Sequence, residues 1–335
     1  MASNLSLYIH WPFCAAKCPY CDFNSHVRER VDEARFGEAL LREMRHWHEQ
    51  LGARRLTTIF FGGGTPSLMP PALVEKLIEQ AQRLWPTADD VEITLEANPT
   101  SSEAGKFAAL RQAGVNRLSL GIQALNDEAL RFLGRRHDVK QALTALEAAA
   151  KTFPRWSFDL IYARKGQNAK DWEKELRQAL GYAGEHLSLY QLTLEPNTGF
   201  AARAATGEVF QPPEEEQAEL FELTQNVMEE AGLPAYEISN HARAGQECRH
   251  NLAYWNYAEY VGLGPGAHGR VGFPRAATLN RRAPEAWLKA VEEKGEGLES
   301  LTPLTPREMR EEALLMGLRL LGGLDKKQWR EKFGE

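Results

Sequence analysis

Long apolar runs are missing from this chain. No stretch of about 18 hydrophobic residues is there to cross a bilayer, and the opening "MASNLSLYIH" has neither the basic head nor the apolar core of a secretory signal. A cytoplasmic protein without an integral membrane segment is expected; peripheral membrane contact is left open. A positive excess is missing too. Lys and Arg number 40 against 46 Asp and Glu, a net charge of -6, which removes the electrostatic basis for nonspecific nucleic-acid binding. Repeats and low-complexity tracts are absent. With 43% hydrophobic and 26% charged residues the composition is that of a globular protein rather than a disordered or collagen-like one. Cysteine is scarce, four in 335 residues, yet three of the four crowd into "CAAKCPYC". In a reducing compartment such crowding points to metal binding or chemistry rather than to a structural disulfide.

Short apolar runs alternate with longer helical patterns through the first 195 residues. The runs are "LSLYIHW" (5–11), "LTTIFF" (56–61), "VEITLEA" (91–97), "RLSLGI" (117–122), "RWSFDLIY" (155–162) and "HLSLYQLTL" (186–194). Amphipathic stretches such as "EARFGEALLREMRHW" and the Pro-started "PALVEKLIEQAQRLW" lie between them, so the pattern predicts a six-unit βα array with a parallel sheet. Each run ends in a polar or Gly-rich cluster: the cysteine loop, "GGGTPS", "EANP", "GIQ", "ARKGQN" after Asp159, and "LEPNTG". In parallel βα folds that edge carries function. Near residue 200 the pattern changes. "PPEEEQAELFELTQNVMEEAGL" (212–233) predicts a helix, "YEISN" an edge strand, and "TPLTPREMREEALLMGLRLLGGL" (302–324) a further helix. Residues 1–200 are expected to form the first domain, 201–300 a smaller α+β extension, and 301–335 the start of a C-terminal helical module.

Cys14, Cys18 and Cys21 have the spacing C-x3-C-x2-C. Thiolates are soft ligands, which suits zinc or an iron-sulfur cluster. Zinc wants four ligands, and only His10 or His26 stands near to complete the set. The spacing, with Tyr20 before the last Cys, resembles the radical S-adenosylmethionine (SAM) superfamily. That resemblance implies a partial (β/α)6 TIM-like barrel and a [4Fe-4S] cluster held at three corners. In that family SAM chelates the open iron and an electron from the cluster cleaves it; whether cleavage occurs in this chain is left open. By the same resemblance Gly63, Gly64 and Thr65 of the "GGGT" turn meet the methionine part of SAM, and Tyr8, Tyr20, Glu96, Gln123, Arg135 and Asp159 complete its site. The glycines 62 to 64 are expected to leave backbone exposed for close approach of a ligand, with N-H groups free beside Thr65.

"YIHWPFC", "HNLAYW" and "GLGPGAHG" narrow the resemblance to the oxygen-independent coproporphyrinogen III oxidase group. Oxidases of that group carry a further Cys two positions beyond the third; here that position is Phe23. In this the chain resembles the HemW-type heme chaperones. The resemblance implies binding of heme, with His250 of "HNLAYW" as the candidate ligand, and delivery to heme-accepting respiratory proteins; a homodimer is left open. A radical oxidase or other radical SAM enzyme is the alternative. Cys248 is expected to be a buried structural thiol, and His10 to orient the cluster loop. One loop departs from the family: "DLIYARKGQN" has Ala163, Arg164 and Lys165 in place of small turn residues, which puts the adenosyl pocket in question.

Overall fold

Apolar and polar side chains alternate along the six expected strands, and this period of two becomes two faces of a curved sheet. The computed structural model describes residues 3–272 and 274–334. Its first strands are β1 (Asn4–Trp11), β2 (Arg55–Gly63), β3 (Thr87–Ala97), β4 (Arg117–Gln123), β5 (Arg155–Tyr162) and β6 (His186–Gln191). They lie side by side in chain order, all parallel, as the partial (β/α)6 barrel requires. The third strand starts four residues before the expected position and the sixth stops three short of it.

Leu7, Ile9, Ile59, Phe61, Ile93, Leu95, Leu118, Leu120, Phe158 and Leu160 face outward and are buried under the crossover helices. Chief among these helices are α1 (Glu33–Leu51), α2 (Pro71–Leu84), α3 (Val139–Thr152) and α4 (Ala169–Leu180). Each start has a local cause. Asp32 accepts from the N-H of Arg35, Pro71 opens α2, Asp138 and Gln141 form a capping box, and Asn168 accepts from the N-H of Asp171. The alternate residues point into a polar lumen. At its base Glu92 pairs with Arg155 at 2.7 Å and takes the N-H of His250 at 3.1 Å. Burial alone would push the Glu92 carboxyl up, but Arg117 and Arg155 outweigh it and hold the group below its ordinary range.

The chain beyond residue 200 adds strands to both ends of the same sheet. After α5 (Glu214–Glu230), β7 (Asn240–Ala242) pairs antiparallel with β6. On the far side, α6 (Arg249–Trp255) leads into β8 (Tyr260–Leu263), which runs parallel to β1. Strands β9 (His268–Val271), β10 (Ala276–Asn280) and β11 (Leu298–Pro303) continue antiparallel, with α7 (Pro284–Lys294) between the last two and α8 (Pro306–Gly317) after them. Buried Glu43 of α1 fastens this extension to the barrel. Its carboxyl accepts from Gly264 N, Gly297 N, Asn280 Nδ2 and Trp287 Nε1 at 2.8 to 3.1 Å.

Two expectations need correction. "YEISN" is not a continuous strand: Glu237 is fully buried, takes Ser239 N and Asn240 Nδ2, and pairs with Arg319, so the chain turns there and makes only isolated bridges, one of them from Glu237 to Leu320, before β7 begins at Asn240. The helix expected over 302–324 is shorter, because residues up to Pro303 belong to β11 and the Thr305 capping box with Glu308 starts α8 at Pro306. Among the described residues no helix is long and apolar enough to cross a membrane.

Candidate cofactor site at the mouth of the barrel

The three crowded cysteines leave the end of β1 on a loop that overhangs the carboxyl ends of the barrel strands. All three thiols are free and half-buried, and they line one cavity of about 650 Å³. Thr65 Oγ1 donates to Cys14 Sγ at 3.4 Å, and Arg135 Nη1 to Cys18 Sγ at 3.3 Å and to the Tyr20 hydroxyl at 3.4 Å. Asn98 Nδ2 donates to Thr65 Oγ1 at 3.1 Å, and Arg135 Nη2 donates to Asn98 Oδ1 and to the carbonyl of Gly121. A continuous chain of donors therefore runs from one thiol to the next. Burial pushes the Cys14 and Cys21 thiols up, while the Thr65 hydroxyl pulls Cys14 back. Among the described residues no three of His, Cys, Asp and Glu stand close enough to share a single metal ion, as a zinc site would require.

Opposite the thiols the strand ends supply Gly63, Gly64 and Thr65 from β2 and the turn after it, Glu96 from β3, Gln123 from β4 and Asp159 from β5. Neither carboxyl has an ion-pair partner among the described residues. Burial and the neighbouring Asp159 push Glu96 up to about 8; burial pushes Asp159 up to about 6, against hydrogen bonds from Ser188 and Ser119 and the charge of Arg117. Gln123 is a non-glycine residue at φ 72°, and its Oε1 and the Nε of Arg135 are buried without a partner. Buried polar atoms left unpaired in a cavity call for a ligand. Three soft donors, two buried carboxyls without an ion-pair partner among the described residues and two orphaned polar atoms fit an iron-sulfur cluster and a cationic nucleotide.

The glycine turn lines the cavity, and close packing against β1 and the loop after it also requires its glycines. A Cβ on Gly62 would lie 2.8 Å from the Tyr8 ring, one on Gly63 2.6 Å from the His10 ring, and one on Gly64 2.7 Å from the carbonyl oxygen of Phe13. Gly64 thus admits the backbone that leads into the cysteine loop, and Gly62 and Gly63 admit the Tyr8 and His10 rings of β1. Nor are their N-H groups free: Gly63 N donates to Glu96, Gly64 N to the carbonyl of Trp11 and Thr65 N to that of Phe13. His10 acts on the same loop. Its Nε2 lies 2.9 Å from the Asn24 carbonyl, which can only accept, so Nδ1 accepts from the Tyr8 hydroxyl at 2.9 Å.

The departed loop leaves the cavity untouched. Ala163 adopts φ 56°, and Arg164 turns inward to pair with Glu175 of α4, which also takes Gln167 Nε2 at 3.2 Å. Tyr8 and His250 lie outside the cysteine cavity. Tyr8 lines a neighbouring cleft instead. His250 is 1% exposed, its Nδ1 2.8 Å from the Thr58 hydroxyl and its Nε2 2.8 Å from that of Tyr254. Both nitrogens are occupied, so the expected ligand is a hydrogen-bonded strut here. Cys248 is buried, 3.5 Å from Glu92. Sequence reasoning missed Asn98 and Asn24. Asn98 stands in the quoted "EANP" cluster; Asn24 Nδ2 ties the end of the cysteine loop to the carbonyls of Pro265 and Arg282, contacts no local pattern announces.

A thiol-bearing loop over the mouth of a six-stranded parallel barrel defines the class, and the radical SAM superfamily description matches residues 8–179. That fold implies a [4Fe-4S] cluster and SAM. The HemN C-terminal domain matches residues 304–335. The heme chaperone HemW of Bacillus subtilis is 39% identical over 98% of this chain and 87% of its own length, and that of Escherichia coli 39% over 85% and 76%. Radical S-adenosyl methionine domain-containing protein 1, mitochondrial, of Bos taurus is 40% identical over 98% of this chain and 76% of its own. The chain belongs to this HemW branch of the radical SAM superfamily. Its fold is shared with coproporphyrinogen III oxidase (HemN) of Escherichia coli, at a TM-score of 0.85 and 23% identity, over the whole of this chain and 80% of that one.

Proposed function

We propose that this protein is a heme carrier on a radical SAM scaffold. It holds a [4Fe-4S] cluster on Cys14, Cys18 and Cys21, binds SAM in the adjoining cavity, and passes heme to respiratory hemoproteins. When bound, the cluster supplies an open iron for SAM and a source of electrons. The chain's own residues supply the rest. Thr65 and Arg135 donate to thiolates and so stabilise their charged form. Asp159, and Glu96 once deprotonated, provide negative charge for a sulfonium and an ammonium group, and Gln123 and Arg135 offer the unpaired Oε1 and Nε, beside Tyr20 at the cavity wall.

The observation that carries the carrier reading over the oxidase reading is Phe23. It occupies the position of the oxidases' additional cysteine, is 56% exposed, and stands where the cysteine cavity meets the neighbouring cleft. A phenyl ring has neither a thiol nor a titratable proton to contribute to a decarboxylation. The names of the HemW relatives support the same choice. The test is anaerobic: cluster-loaded protein is titrated with heme at micromolar levels and, separately, incubated with reductant, SAM and coproporphyrinogen. Heme binding without protoporphyrinogen is expected. Accumulation of protoporphyrinogen, or no heme binding with or without SAM, overturns the proposal.

A further inference from the structure

Beside the cysteine cavity, and sharing Phe23, Gly63 and Glu96 with it, lies a cleft of about 470 Å³. That volume falls within the roughly 300–1,000 Å³ of small-molecule sites. Its walls are aromatic. Tyr254 and Trp255 come from the end of α6, Tyr257 from the turn after it, and Tyr260 from β8, with Tyr254 and Tyr260 packed edge to face at 4.6 Å. Met316 of α8 adds a thioether. Flat apolar faces of this kind suit a planar ring system.

Into this cleft the first residue of β9, His268, presents an exposed imidazole with no hydrogen-bond partner among the described residues. Partial burial and the charges of Arg270 and Arg282 hold it below the ordinary histidine range, so the neutral, metal-ligating form prevails near neutral pH. The two arginines differ. Arg270 is committed to Glu312 at 2.8 Å, whereas Arg282 is exposed and has no ion pair among the described residues. Aromatic walls, a free imidazole and an uncommitted guanidinium match, respectively, the macrocycle, the iron and the peripheral carboxylates of an iron porphyrin.

We propose that heme binds in this cleft with His268 as an axial ligand and Arg282 at a propionate. The inference rests on the heme-carrier reading and names the site that reading lacks. It also gives "HNLAYW" a role: Tyr254 and Trp255 form the wall, and His250 holds Tyr254 in place.

The test is an anaerobic heme titration of the cluster-loaded full chain, followed by absorption spectroscopy, on the parent and on His268→Ala, His268→Met and Arg282→Ala. The parent is expected to give an imidazole-ligated Soret band. His268→Ala should lose that band and weaken binding by about tenfold or more, with free imidazole restoring the spectrum, and His268→Met should shift it. Arg282→Ala should weaken heme but not its dimethyl ester. An unchanged spectrum and affinity in His268→Ala, with the parent binding, overturns this site and leaves the carrier reading standing. A parent that binds no heme overturns the carrier reading, and this site with it.

Discussion

His250 Nε2 and the Tyr254 hydroxyl stand 2.8 Å apart, with the other imidazole nitrogen held by Thr58 of β2. The imidazole thus braces the aromatic wall against the barrel from a position closed to solvent. Removing it leaves two hydroxyls without a partner in a buried space. His250→Ala is expected to lower unfolding stability by about 2–4 kcal/mol in urea titrations. The heme band of the folded fraction should keep its position. A folded variant that loses imidazole ligation would place the iron on His250 instead.

Arg135 spans the cluster loop and the strand ends through Cys18, Tyr20, Asn98 and Gly121. A lysine ammonium cannot reproduce that planar fork. Arg135→Lys should reduce iron and sulfide retained after anaerobic reconstitution and weaken SAM binding by roughly tenfold or more, since hydrogen bonds to charged groups contribute about 1.5–3 kcal/mol. Circular dichroism should remain that of the parent.

Glu96 titrates in the folded protein near 8, well above its ordinary value of 4.5. The folded state therefore binds this proton more tightly than the unfolded one. Its contribution to stability is fully present below the ordinary carboxylate range and is lost as pH rises through 8. Asp159, pushed up to about 6, and Glu43, pushed up to about 7 mainly by burial, act with the same sign at lower pH. Buried histidines oppose them: His10 and His137, lowered to about 4 by burial, lose stability as pH falls below 6.5. Between pH 7 and 8 the Glu96 slope dominates, with a ceiling of about 1.4 kcal/mol per pH unit. Denaturation of the cluster-free protein should show falling stability there, and Glu96→Gln should flatten it. SAM affinity of the loaded parent should rise over the same interval, because a carboxylate attracts a cation better than a carboxylic acid.

Gly64→Ala sets a methyl group 2.7 Å from a backbone carbonyl, and Gly63→Ala adds a φ of +114° to a clash with His10. Both should lose cluster content and stability together, by about 2 kcal/mol or more in stability. Loss of SAM affinity alone, with cluster and stability intact, would show that the turn acts through ligand contact rather than through packing.

The strands were legible because each alternates apolar and polar residues, and the same alternation aims Glu96 and Asp159 into the lumen. The cysteine spacing marked the loop. Other features depend on contacts that no local pattern carries. Tyr254, His268 and Arg282 meet only because β8 joins β1 in parallel and carries β9 and β10 with it, and His250 looks like a ligand until Thr58 and Tyr254 close on it. "YEISN" has the alternation of a strand, but a buried Glu237 anchored by Arg319 turns the chain, so that pairing with β6 forms only at its end.

The most direct test of the three-thiolate site is Mössbauer spectroscopy on anaerobically reconstituted, iron-57-labelled protein before and after addition of SAM. A cube held by Cys14, Cys18 and Cys21 should contain one distinct iron whose signal alone changes when SAM binds. Equivalent irons that ignore SAM, or no cluster at all, would contradict the account.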